Sequence, residues 1–100
     1  MAIDVTSHED RANIFSDLSG MATLCLSRND ESEHSFSLLF YVWEKVSIKL
    51  WFLCYWNDYF RCGNIVLKAA RHINDVNVQA QLLGELGYAY MESEDFVQAQ

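Results

Sequence analysis

Cys54, Cys62 and His72 are the side chains best suited to hold a metal or to act as nucleophile and base. Structural zinc sites draw their ligands in close pairs. Here Cys54, Cys62 and His72 follow one another at intervals of 8 and 10 residues, and no C-x-x-C or H-x-x-x-H pair occurs. A Cys–His nucleophile would also need an oxyanion hole and a pocket, and nothing in the pattern signals either. Cys62 falls on an apolar stripe and Cys54 on the edge of another, so both read as core thiols. Glu92, Glu94 and Asp95 could supply paired carboxylates, but they lack the glycine pattern of a calcium loop and read as a solvated turn. His8, Glu9 and Asp10 form an acidic first helical turn, as the helix dipole favours. Gly84 and Gly87 sit inside a helical pattern rather than in a phosphate loop. The expectation is a chain without catalytic residues, cofactor or metal: not an enzyme.

The elements that carry these residues read as helices. From Ser7 to about Leu26, Ile14, Leu18, Met21 and Cys25 repeat on one face, widened by Phe15, Ala22 and Leu26, and Thr6 with Glu9 has the spacing of a capping box. Residues 27–35 are polar and read as a loop. From about Phe36 to Tyr55, Leu39, Trp43, Val46, Leu50 and Leu53 form a stripe, with Ile48, Trp51 and Tyr55 in a second one. Such a helix is apolar nearly all round and should pack on more than one neighbour. A third helix follows Trp56, with Asn57 or Asp58 as cap, carrying Tyr59, Cys62, Val66, Ala69 and Ile73 and ending at Asn74-Asp75. Gly63 lies beside that stripe and would permit close helix approach. A fourth spans about Val78–Glu92 with Leu82, Leu83, Leu86, Ala89 and Tyr90. Ser93-Glu94-Asp95 reads as a turn, and a fifth helix opens near Phe96. No segment alternates with period two.

Composition agrees. The chain is 51% apolar, which excludes intrinsic disorder, and the absence of proline with only 4 glycines argues against a turn-dense sandwich. A net charge of −7 leaves no basic face for phosphates, so nucleic acid is not an expected partner. The most membrane-like stretch, Phe36–Trp56, carries Glu44, Lys45 and Lys49, and no membrane role is expected. Residues 1–10 hold Asp4, Glu9 and Asp10 and no basic residue, unlike a secretory leader. With an odd number of cysteines, a reduced, cytoplasmic chain is the expectation.

The second and fourth helices overlay at a shift of 40 residues. Trp43 falls on Leu83, Val46 on Leu86, Ser47 on Gly87, Leu50 on Tyr90 and Trp56 on Phe96. A period of this size is the mark of stacked helical hairpins. The string Leu86-Gly87-Tyr88-Ala89-Tyr90, then Asp95-Phe96 and Ala99, resembles the tetratricopeptide repeat (TPR) family. The stretch Trp56–Asp75, ending Ala69-Ala70-Arg71-His72-Ile73-Asn74-Asp75, is similar to the long-repeat members found in bacterial signalling NTPases. The upstream copy departs from the family: Tyr59 stands where a small alanine is usual, and Ser47 replaces the glycine. The resemblance covers about residues 38–100. It implies an all-α superhelix of antiparallel hairpins: a capping helix and polar loop over 1–35, then TPR-like repeats over 36–100, about 40–79 and 80–100, the second incomplete at its C-terminal end.

The resemblance also implies a function: a protein–protein interaction scaffold. Hairpins would pack through Trp43, Val46, Leu50, Trp56, Leu83, Leu86, Gly87, Ala89, Tyr90, Phe96 and Ala99. The concave, partner-facing positions would be Tyr41, Glu44, Ile48 and Trp51, then Gln81, Gly84, Tyr88 and Glu92. No lysine or asparagine stands there to clamp a carboxylate, and Glu44 and Glu92 would repel one. An apolar helix or peptide is the expected partner. The open face of the last hairpin, with Leu83 and Tyr90, is expected to stay exposed or to self-associate. Two other readings stand beside this one: a segment of a larger signalling NTPase or transcription regulator, and a small metal-binding protein or enzyme.

Overall fold

The computed structural model describes residues 6–27 and 32–99. Four helices follow in order: α1 (His8–Ser27), α2 (Ser32–Phe52), α3 (Trp56–His72) and α4 (Val76–Ala99). No strand occurs among the described residues, and the fold is all-α.

Several helix ends have a local cause. Ser7 Oγ accepts the Asp10 amide at 2.9 Å, so Ser7, rather than Thr6, caps α1. Four residues of the expected loop, 32–35, belong to the first turn of α2; this polar stretch carries no glycine or proline to stop a helix. Two turns of the same form join α2 to α3 and α3 to α4. After α2, the Cys54 amide donates to the Trp51 carbonyl (3.1 Å) and the Tyr55 amide to Leu50 (2.9 Å). After α3, the Asn74 amide donates to Arg71 (3.2 Å) and the Asp75 amide to Ala70 (3.1 Å). This is the Schellman pattern, which needs a left-handed residue; Cys54 (φ 62°) and Asn74 (φ 61°) supply it without glycine. The cap of α3 is Tyr55, with no side-chain hydrogen bond, and not Asn57 or Asp58. Asp75 caps α4, its Oδ1 accepting the Val78 amide at 3.1 Å.

Helix α3 is the hub. It packs on α1, α2 and α4, whereas α2 and α4 do not form a packed pair of their own. Its one-sided stripe is buried as expected at Tyr59, Cys62, Val66 and Ala69, and Gly63, Leu67 and Ala70 join it. Around it lie Leu18, Ala22 and Cys25 of α1, Leu39, Trp43, Val46 and Leu50 of α2, and Leu82, Leu86 and Ala89 of α4. At Gly63 the partner helices come close. A Cβ built there would lie 2.7 Å from Leu86 Cδ2 and 3.2 Å from a ring carbon of Trp43. Helix α1 is tied down at its start: Arg11 pairs with Asp58 (3.2 Å) and lies over the Tyr55 ring (3.9 Å), and Arg61 lies over Phe15 (4.1 Å).

Two expectations need correction. First, Ser93-Glu94-Asp95 is not a turn and no fifth helix starts there: α4 runs through as one helix of 24 residues. The Ser93 hydroxyl bonds back to the Tyr90 carbonyl (2.9 Å) inside the helix instead of capping a new one. Second, the 40-residue overlay does not match burial. Trp43 is 1% exposed and Leu83 51%; Leu50 is 1% exposed and Tyr90 54%. Buried Leu39, Trp43 and Val46 correspond instead to buried Leu82, Leu86 and Ala89, each 43 positions on. Only the pairing of Val46 with Leu86 sets buried on buried at 40.

Candidate functional site

Because α2 and α4 both lean on α3 and touch each other little, a cleft of about 470 Å³ opens between them. One wall is Ser47, Ile48, Trp51 and Phe52 of α2, the other Gly84, Glu85 and Tyr88 of α4, with Tyr59 of α3 at the base. The small residues create the room: a Cβ built at Gly84 would meet nothing within 4 Å.

The walls are aromatic and braced by one another. Trp51 stacks on Tyr88 (centroids 5.6 Å, planes 23° apart) and meets Trp56 (5.1 Å) and Tyr59 (5.6 Å) edge-on. Tyr59 in turn contacts Trp43 at 5.2 Å, which links the cleft to the core. Such contacts add about 0.5–1.5 kcal/mol each beyond burial and hold the rings in fixed orientations.

The polar groups are few. Gln81 Nε2 donates to Glu85 Oε1 at 3.1 Å, and the Ser47 hydroxyl donates to the Glu44 carbonyl at 3.3 Å. Burial pushes the Tyr59 phenol up to about 12, and the negative charge of Glu85 adds to the shift. Tyr59 therefore keeps its proton at neutral pH.

Four of the expected concave residues, Ile48, Trp51, Gly84 and Tyr88, meet in this cleft. Gln81 borders it through Glu85. Tyr41, Glu44 and Glu92 do not line it; Tyr41 is exposed, with Lys45 Nζ 5.4 Å from its ring. Sequence reasoning missed Ser47, Phe52, Tyr59 and Glu85. A signal existed for two of them: Phe52 lies one turn after Ile48, and Tyr59 is the bulky residue where the resemblance expects alanine.

Of the expected packing residues, Trp43, Val46, Leu50, Leu86 and Ala89 are buried and Trp56 packs at the core margin. Leu83, Gly87 and Tyr90 are exposed, although Tyr90 stacks on Phe60 at 4.1 Å. With Val76 and Met91 they leave an apolar face of α4 open. The side chains of Phe96 and Ala99 lie outside those described.

Elsewhere the chemistry is sparse. No disulfide joins the three cysteines; Cys25 and Cys62 are buried, whereas Cys54, expected as a core thiol, is exposed in the left-handed turn after α2. Burial pushes the Cys62 thiol up to about 12, with Asp58 adding to the shift and Arg61 opposing it. No cluster of metal-ligating side chains occurs among the described residues. No helix among them is long and apolar enough to cross a membrane. A second depression, about 530 Å³, lies over the α3–α4 turn beside Phe36 and Ser37. Its Asn74 and Asp75 are engaged in holding that turn.

Comparison with known proteins finds no family model, no curated protein and no solved structure that matches the chain.

Proposed function

We propose that this chain is a protein–protein interaction scaffold of TPR type, with no chemistry of its own, which offers the α2–α4 cleft to a segment of a partner protein. The observation that carries the reading is the cleft itself: an apolar, aromatic-walled groove between two helices that share a common support. Ile48, Phe52 and Tyr88 stand exposed at its margins, where burial against a partner would remove apolar area from water. Rigid aromatic anchors in a concave site are the usual carriers of interface energy. The resemblance to TPR hairpins supports the same face, since Ile48, Trp51, Gly84 and Tyr88 are positions it assigns to the concave side. The proposal places the scaffold in the cytoplasm, which suits three thiols with none bonded to another.

The test is a peptide-display selection on the wild-type chain, with the selected binders measured against Ile48→Glu and Phe52→Glu. Both residues are exposed, so both variants should fold. Binders that lose affinity for both variants support the cleft. Binders indifferent to both would remove it as the recognition surface.

A further inference from the structure

The cleft holds one formal charge. Glu85 lies among Trp51, Tyr88, Ile48 and Tyr59, and among the described residues no basic side chain pairs with it. Its Oε1 receives Gln81 Nε2, and Oε2 has no partner there. The other polar groups do not offset this charge. The Ser47 hydroxyl is committed to the Glu44 carbonyl, and the Tyr59 phenol is neutral. Three basic residues are engaged elsewhere: Arg11 on Asp58, Arg61 over Phe15, Lys45 over Tyr41. A carboxylate half-buried against aromatic faces is therefore uncompensated in a chain whose net charge is −7.

Resting on the scaffold reading, we propose that the cleft recognises a basic amphipathic segment of a partner protein, seating an arginine or lysine head on Glu85 while its aliphatic stem lies along Ile48, Trp51 and Tyr88. The three classes of occupant differ in what they do to Glu85. An acidic segment meets repulsion. A neutral apolar one covers the carboxylate and strips its water without replacing it. A basic one supplies the counter-charge, and aromatic faces attract the same cation. A long basic side chain also fits the remaining chemistry, since its methylenes match apolar walls and its tip matches the single acid.

The test uses fluorescein-labelled, amidated peptides built from repeated Leu-Arg-Arg-Leu blocks, with matched peptides carrying Gln or Glu in place of Arg. Binding is read by anisotropy at physiological salt. The variants are Glu85→Gln, Gly84→Leu, which fills the cleft from a position where an added Cβ meets nothing, and Glu9→Gln. The last removes one charge from exposed α1, far from the cleft in sequence. Ile48→Ser serves as a second cleft variant should Gly84→Leu fail to fold.

The Arg peptide should bind the wild type best and lose about tenfold or more on Glu85→Gln, the worth of one charged hydrogen bond. It should lose less than about twofold on Glu9→Gln, as befits a remote exposed charge, and lose binding on Gly84→Leu. Equal losses at Glu85 and Glu9 would show bulk charge and overturn the cation seat. So would a Gln peptide that binds as tightly as the Arg peptide, and if Gly84→Leu abolishes both, the cleft itself survives. Arg-peptide binding indifferent to Gly84→Leu and Ile48→Ser would end the scaffold reading as well.

Discussion

Tyr88 of α4 lies on Trp51 of α2, ring planes 23° apart and centroids 5.6 Å apart, where two helices that do not otherwise form a packed pair meet. Tyr88 is exposed on its other side. Replacing it by alanine should cost only about 1 kcal/mol of stability, the scale of one aromatic pair. The variant should unfold in urea at a slightly lower midpoint. Its Trp51 environment should change visibly in tryptophan fluorescence, and binding to the Arg peptide should fall more than stability does. A stability loss above about 3 kcal/mol, as for a core truncation, would contradict the placement of Tyr88 at the cleft margin.

Glycine positions divide into two groups. Gly63→Ala pushes a methyl against Leu86 and the buried ring of Trp43. Overpacking of this kind costs about 1–3 kcal/mol, only partly offset by the better helix propensity of alanine. At Gly20, Gly84 and Gly87 an added Cβ meets nothing within 4 Å. Alanine there should stabilise by about 0.5–1 kcal/mol each. Chemical denaturation of the four single variants checks the opposite signs.

Stability should fall on the alkaline side. Tyr59 and Cys62 are both held neutral in the folded chain, each pushed up to about 12 from 10 and 9. The unfolded chain releases these protons first, so the folded state binds more of them above about pH 9. Stability is then fully present below the unfolded values and is lost as pH rises towards 12, at up to about 1.4 kcal/mol per pH unit for each group. Thermal melts from pH 7 to 11, with tyrosinate absorbance followed in parallel, measure this. Tyr59→Phe should flatten part of the decline.

The thiols should separate by accessibility. Iodoacetamide at pH 8 should modify exposed Cys54 first, and Cys25 and Cys62 only after denaturation. Cys54→Gly should remove the fast site and also stabilise by about 0.5–1 kcal/mol, because glycine adopts φ 62° without the steric cost of a Cβ. Mass spectrometry and denaturation test both halves.

Truncating the cap of α4, Asp75→Ala, should cost about 0.5–2 kcal/mol, since the Val78 amide loses its acceptor. Asp75→Asn, which keeps the oxygen, should recover most of that in the same denaturation assay.

The legible parts of the sequence were those where apolar residues kept to one side. The stripe Tyr59, Cys62, Val66 and Ala69 had a single possible inner face, and that face is buried. In α4, Leu82, Leu83, Leu86, Ala89 and Tyr90 fill one arc of about a third of the circumference. Spacing alone could not say that Leu82 turns inward and Leu83 outward; that is decided by where α3 lies. Ser93-Glu94-Asp95 looked like a turn because it is polar, but a polar triplet without glycine or proline also continues a helix whose side is solvated. The cleft was half visible: Ile48, Trp51, Gly84 and Tyr88 follow from face periodicity, and Glu85 stands beside Gly84 on the same wall.

Gly63 gives α3 no thickness beyond its backbone at the point where Trp43 and Leu86 rest on it. Tyr59, the floor of the cleft, stands one turn away on the same helix. The two walls are therefore arms resting on one fulcrum, and a guest that spread them would have to lever both against it. The aperture is set from within the protein, by an atom that is not there, rather than by the rings at its mouth.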